Sequence, residues 1–258
     1  MLSATMRLLR RILTTVAITL GVIALGAFWV APLALSFDAA RTAAPVTRLV
    51  PTELKDTSVS QVPGTKLSYF GYEFEIPRTD LDETRTRLLP KNHPYMALLA
   101  FHSGLILMVS ASPANEFPQA LAREWKASPQ IIESAFGPGA SQSDCRFLKN
   151  LYEFTPEKMH RWALFPSTHY REQMLLTLKA TILSDSGDSG IFNVRDQDWC
   201  GFQLGDPQAH PRKVAVQFYS GEKSVEFTFA SKNSDMVTQP EINRMVQSFR
   251  KAPEGDLH

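Results

Sequence analysis

Apolar and polar residues follow three regimes along the chain. From Ile12 to Phe37, 26 consecutive residues carry no charge. Residues 38–66 hold no apolar period and are broken by Pro45, Pro51, Pro63 and Gly64. Beyond them, two-residue alternation and helical spacing take turns. The first regime predicts a transmembrane helix over residues 12–37, because it is apolar all round and not along one stripe. The 20 residues from Ile12 to Ala31 span about 30 Å as a helix, the thickness of the hydrocarbon layer. Phe28 and Trp29 fall where a headgroup belt favours aromatics, and Pro32 ends the helix near that interface. The second regime predicts an extended linker over 38–66.

The third regime, residues 67–253, predicts one α+β domain, followed by a short tail at 254–258. Phe70, Tyr72, Phe74 and Ile76 alternate with Gly71, Glu73 and Glu75, the mark of a half-buried strand stopped by Pro77. "YMALLAFHSGLILMVSASP" divides at His102-Ser103-Gly104 into two strands of a hairpin. A helical block runs from Phe117 to Leu183. Within it, Ser128-Pro129 opens a helix with Ile131, Ile132, Ala135 and Phe136 on one face and Gly137 as its stop. Ser141 to Asp144 resembles a capping box before Phe147, Leu148, Leu151 and Tyr152. Thr155-Pro156-Glu157 opens a third helix carrying Met159 and Trp162. "THYREQMLLTLKATIL" is the longest, with Met174, Leu175, Leu178 and Ile182 inward.

Strands then return in "GIFNV", "WCGFQLG" and the hairpin "KVAVQFYSGEKSVEFTFAS", which turns at Ser220-Gly221-Glu222-Lys223. A last helix starts at Thr238, with Glu241 three residues on and Ile242, Met245, Val246 and Phe249 in one stripe. Strands, a helical block, more strands and one helix predict a largely antiparallel sheet with helices packed on it.

Charge fixes orientation. Arg7, Arg10 and Arg11 precede the apolar run, and Asp38 follows it. The bias puts residues 1–11 in the cytoplasm and everything after residue 37 outside, periplasmic if the cell is bacterial. Ala34-Leu35-Ser36 offers the small residues a signal peptidase reads, so cleavage before Phe37 is the competing reading. Signal h-regions are shorter, about 7–15 residues, which favours a single-pass anchor in the cell membrane. Ala17 and Gly21 form a small-xxx-small pair, a spacing common in any membrane helix. Residues 38–258 hold 24 basic and 26 acidic side chains. That balance gives no footprint for nucleic acid.

Candidate chemistry is sparse. Cys145 and Cys200 fit no zinc spacing. They read as two buried thiols or, given the expected compartment, as a disulfide. "GDSG" (Gly187–Gly190) lacks the following Gly and the upstream His context of a serine protease. Ser220 and Lys223 match a nucleophile spacing that belongs on a helix start, not in a hairpin turn. None of the six histidines forms an H-x-H or H-x-x-x-H pair. His160 and His169 could meet Glu157 or Glu172 on neighbouring helices. Glu73 and Glu75 share a strand face, usually a solvated one. The sequence assigns no catalytic, cofactor-binding or metal residue.

The stretches "YFGYEFEIP" and "VEFTFASKNSDMVTQPEINRMVQSFR" resemble the PsbP-like group, in which a strand, a polar loop and a capped terminal helix recur. The resemblance implies an antiparallel sheet with helices on its faces, and an accessory or assembly role in place of catalysis. The chain therefore reads as a membrane-anchored extracytoplasmic domain, held by residues 12–37, that binds a protein partner or a small ligand. The alternative is an extracytoplasmic hydrolase whose residues meet only in the fold.

Overall fold

A computed structural model of the chain describes residues 18–23, 26, 45–89, 96–159, 166–183, 190–196, 199–209, 213–231 and 237–252. Eleven strands are present among them: β1 (Pro51–Glu53), β2 (Thr65–Tyr69), β3 (Tyr72–Ile76), β4 (Leu81–Leu88), β5 (Met96–Phe101), β6 (Leu105–Pro113), β7 (Ile191–Asp196), β8 (Trp199–Leu204), β9 (Lys213–Tyr219), β10 (Lys223–Ser231) and β11 (Arg250–Lys251). The helices are α1 (Glu116–Trp125), α2 (Pro129–Phe136), α3 (Asp144–Glu153), α4 (Pro166–Leu183) and α5 (Gln239–Ser248).

Eight strands form one sheet in the order β1-β7-β8-β9-β10-β6-β5-β4. Only β1 runs parallel to its neighbour; the other pairs are antiparallel. The α+β class and the antiparallel sheet with helices packed on it are thus as the sequence predicts. The inner strands present apolar side chains to both faces of the sheet and so build two cores. On one face Leu99, Leu107, Val216, Phe218, Phe227 and Phe229 are buried against a second sheet, β11-β3-β2, and against Ile242, Met245 and Phe249 of the C-terminal segment. On the opposite face Phe202, Leu204, Ala215 and Tyr219 pack under Phe136, Phe147, Leu151, Leu175 and Leu183 of the helical block. Each fully buried Leu or Phe side chain contributes about 1.5–3 kcal/mol of apolar transfer, so the two layers hold the sheet from both sides.

Several expectations are corrected. The strand expected through Phe70 is a hairpin. Phe70 (φ 57°) and Gly71 (φ 85°) both take left-handed backbone, the requirement of a tight two-residue turn. Tyr69 therefore pairs with Tyr72, and the buried alternation begins only at Tyr72. The helix expected after Thr155 is one 3-10 turn, Pro156–Lys158, and Trp162 lies outside the described residues. Ile131 is 49% exposed while Ile132 and Phe136 are buried. The inward face of α4 is Glu172, Leu175, Leu176, Lys179 and Leu183, with Met174, Leu178 and Ile182 only half-buried. Strands β1, β4 and β11 carry no alternation that could announce them.

Residues 45–66, expected within the extended linker, are fastened to the domain. Strand β1 extends the sheet edge beside β7. The Asn243 side-chain amide donates to the carbonyls of Asp56 (2.9 Å) and Ser58 (2.7 Å). The Ser60 N–H donates to Pro240 O at 3.0 Å. The folded unit therefore takes in this stretch. Of the expected membrane helix, residues 18–23 are helical, with Ile18, Leu20, Val22 and Ile23 each 61–65% exposed. Most of residues 12–37 lie outside the described residues, as does the tail at 254–258. No helix among the described residues is long and apolar enough to cross a membrane.

Candidate functional site

Antiparallel register brings a group of polar side chains together on the helical face. Glu226 of β10 lies opposite Gln217 of β9 and Ser110 of β6. One step along, Ser224 lies between Tyr219 and Ser112, so all these side chains share one face. Helix α1 borders the group with Glu116 and Phe117. Between helix and strands lies a hollow of about 290 Å³.

The floor is a chain of hydrogen bonds. The buried Tyr152 hydroxyl donates to Gln217 Oε1 at 3.3 Å, and Gln217 Nε2 donates to Glu226 Oε2 at 3.2 Å. Thr228 Oγ1 donates to Glu226 Oε1 at 2.8 Å. Each Glu226 oxygen thus accepts one bond from the protein and has capacity for another, and Glu226 lines the hollow. Tyr219 is 5% exposed. Burial, with Tyr152, Glu226 and Asp144 adding like-sign repulsion, raises its phenol well above the ordinary range, so it stays a neutral hydroxyl.

Asp144 fixes the wall. From the first turn of α3 its carboxylate accepts from the N–H groups of Asn115 (2.6 Å) and Phe117 (3.1 Å) at the start of α1. It caps the neighbouring helix, satisfying N–H groups that have no partner within α1. Burial raises its pKa, and these backbone donors pull the other way. Next to it, Cys145 is joined to Cys200 of β8 in a disulfide with Cα–Cα 6.0 Å. Cys200 is the direct cross-strand neighbour of Tyr219. The bridge therefore pins the wall-bearing helices to the strand next to the hollow.

Apart from the two cysteines, whose bridge braces it, the candidate residues singled out in the sequence are not among those lining this hollow. Glu73 is paired with Arg250 at 2.8 Å and Glu75 with Arg244 at 3.1 Å. Both border a larger hollow of about 510 Å³ beside β2, but their charge is already answered by arginine. Ser220 Oγ accepts from the N–H groups of Glu222 and Lys223, ordinary hairpin-turn bonding. Residues 187–189 of "GDSG", together with His93, His160, His210 and His258, lie outside the described residues. His102 is exposed, 3.9 Å from Asp82. No cluster of three or more metal-ligating side chains occurs among the described residues.

Lys179 is fully buried, yet it is not a nucleophile awaiting a substrate. Its ammonium donates to the carbonyls of Leu49 (2.6 Å), Tyr152 (2.7 Å) and Phe154 (2.7 Å). All three protons are used. Burial pushes its pKa down to about 8, Lys158 adds repulsion and Glu157 opposes both. It closes the open carbonyl end of α3 and ties residue 49 to it.

Sequence reading missed the hollow. The one signal was polar residues at alternate positions of otherwise apolar strands: Ser110 and Ser112 in β6, Ser224 and Glu226 in β10. No family model matches the chain, and neither a curated protein nor a solved structure is recognisably similar to it.

Proposed function

We propose that the chain is a single-pass membrane protein whose α+β domain lies outside the cytoplasm and binds a partner or small ligand there. The observation that carries the compartment is the Cys145–Cys200 disulfide, since such bonds persist in oxidising compartments and are rare in the cytosol. It agrees with the 26-residue uncharged run behind Arg7, Arg10 and Arg11, which is long enough to span and is oriented by its basic flank. A binding role is supported by a polar hollow whose acceptors are only partly used by the fold. The accessory role implied by the PsbP-like resemblance belongs to the same proposal.

The test is topological first. An alkaline phosphatase fused after residue 258 should be active in a bacterial host and a fluorescent protein there dark, with the chain in the membrane fraction. A fluorescent, phosphatase-negative fusion would overturn the compartment. Recovery of a mature chain beginning at Phe37 would replace the anchor by a cleaved signal while leaving the domain outside. Cross-linking in membranes then seeks the partner.

A further inference from the structure

We infer that the hollow between α1 and strands β6, β9 and β10 is a binding site for a compact organic cation, a primary ammonium or guanidinium group. This rests on the reading of the chain as a binding domain, but not on its compartment.

Two independent observations converge. The first is charge. Elsewhere three glutamates of the packed layers meet arginine: Glu73 with Arg250, Glu75 with Arg244, and Glu241 with Arg78 at 2.9 Å. At the hollow, Glu226 and Glu116 have no ion-pair partner among the described residues, and no lysine or arginine borders it. Two carboxylates bordering one hollow, Glu116 exposed and Glu226 half-buried, make it a negative space that a cation would answer.

The second observation is Tyr219. Its side chain is more than nine-tenths buried, yet its hydroxyl makes no hydrogen bond among the described residues. Buried hydroxyls are nearly always paired. This one is not sealed in apolar packing either, because Arg244 Nε is the one enclosed, unpartnered side-chain atom among the described residues. The hydroxyl opens on the hollow it lines. The hydroxyls of Ser110, Ser112 and Ser224 likewise make no hydrogen bond among the described residues, and these serines border the same space.

The set defines the ligand. An ammonium offers three donors and no acceptor. Two carboxylates and four hydroxyl oxygens supply acceptors around it, and Phe117, 37% exposed, adds an aromatic wall suited to a cation. About 290 Å³ sits at the small end of ligand pockets, roughly 300–1,000 Å³. It admits a head group or one side chain, not a nucleotide.

The experiment uses the full-length chain in detergent micelles and titration calorimetry. The probes are n-butylammonium, methylguanidinium, n-butanol, butyrate, glucose and a blocked Ala-Lys-Ala tripeptide. Either cation should bind, more weakly as salt rises, while butanol and butyrate do not. Glu226→Gln should weaken binding at least tenfold and Tyr219→Phe about fivefold. Glu116→Gln, at an exposed position in the first turn of α1, should weaken it two- to threefold. Tighter binding of the tripeptide than of butylammonium assigns the cation to a partner's side chain; the reverse assigns it to a free amine. Cation binding that is absent, or indifferent to Glu226→Gln and Glu116→Gln, overturns the inference. Glucose binding that is lost in Tyr219→Phe but kept in Glu226→Gln overturns the cation class and leaves the binding role standing. Silence from every probe, with no cross-linked partner, removes both.

Discussion

Gln203 and Gln239 face each other as a reciprocal amide pair. Gln203 Nε2 donates to Gln239 Oε1 at 2.8 Å, and Gln239 Nε2 donates back to Gln203 Oε1 at 3.0 Å. Both side chains are buried. The second proton of each amide is used as well, on Gly205 O and on Asn243 Oδ1. Asn243 continues the chain to Asp56 and Ser58. A polar network of this kind stabilises only when every member is satisfied, and here it clasps β8, α5 and residues 56–58 together.

Gln203→Leu should therefore destabilise the fold by about 2–3 kcal/mol, because Gln239 and Gly205 are left with unanswered buried groups. Adding Gln239→Leu should cost less than the sum of the two single changes, since the second removes a group the first had orphaned. Urea midpoints of the four proteins in the cycle check this. Strict additivity would show the pair to be energetically independent.

Lys179→Met leaves three carbonyls without a donor and should destabilise by about 3 kcal/mol near neutral pH. The pH dependence has a definite sign. The lysine titrates near 8 in the fold and at its ordinary 10.5 when unfolded. Between those values the unfolded chain binds more protons, so this group makes stability rise with pH across that window. The stability gap between wild type and Lys179→Met should widen by about 3 kcal/mol from pH 8 to 10.5. Denaturant titrations at several pH values test it; a gap independent of pH contradicts the shifted titration.

Lys179 also illustrates where sequence reading ends. Its neighbours Leu175, Leu178 and Ile182 mark the helix and roughly mark its inward face, but a lysine in that stripe reads as solvated. Its burial depends on carbonyls 25 to 130 residues away. The β9–β10 and β5–β6 hairpins were legible because apolar positions alternate around an identifiable turn. The terminal helix was legible from its cap, and Glu241 does accept from the Thr238 N–H at 2.7 Å. Strand β4, "LDETRTRL", was not, since an edge strand can be polar along much of its length. The hollow was out of reach for a third reason. Its members come from β6, β9, β10 and α1, and only register sets which of them meet.

Gly71 isolates a backbone effect. A Cβ there would meet nothing within 4 Å, yet φ is +85°. Gly71→Ala should cost about 1–2 kcal/mol through conformation alone, and Gly71→Asn less, since Asn tolerates left-handed backbone. Thermal unfolding of the two variants gives the order. Equal stability of Ala and Gly would mean the β2–β3 turn differs in solution.

The disulfide links stability to the hollow. It joins residues 55 apart, for which the loss of loop-closure entropy in the unfolded chain corresponds to about 4 kcal/mol. Replacing both cysteines by alanine should lower the melting temperature by roughly 10 °C for a domain of this size. Reductant should shift wild type toward that value and leave the double variant unmoved. The bridge also holds α3, whose Asp144 caps α1, against the strand neighbour of Tyr219. Its loss should loosen the wall and one side of the floor together. In the double variant, cation binding at a temperature where the fold persists should weaken, while the Glu226→Gln effect shrinks with it. Unchanged affinity in a destabilised but folded double variant would show that the bridge serves stability alone and that the hollow is shaped by strand register.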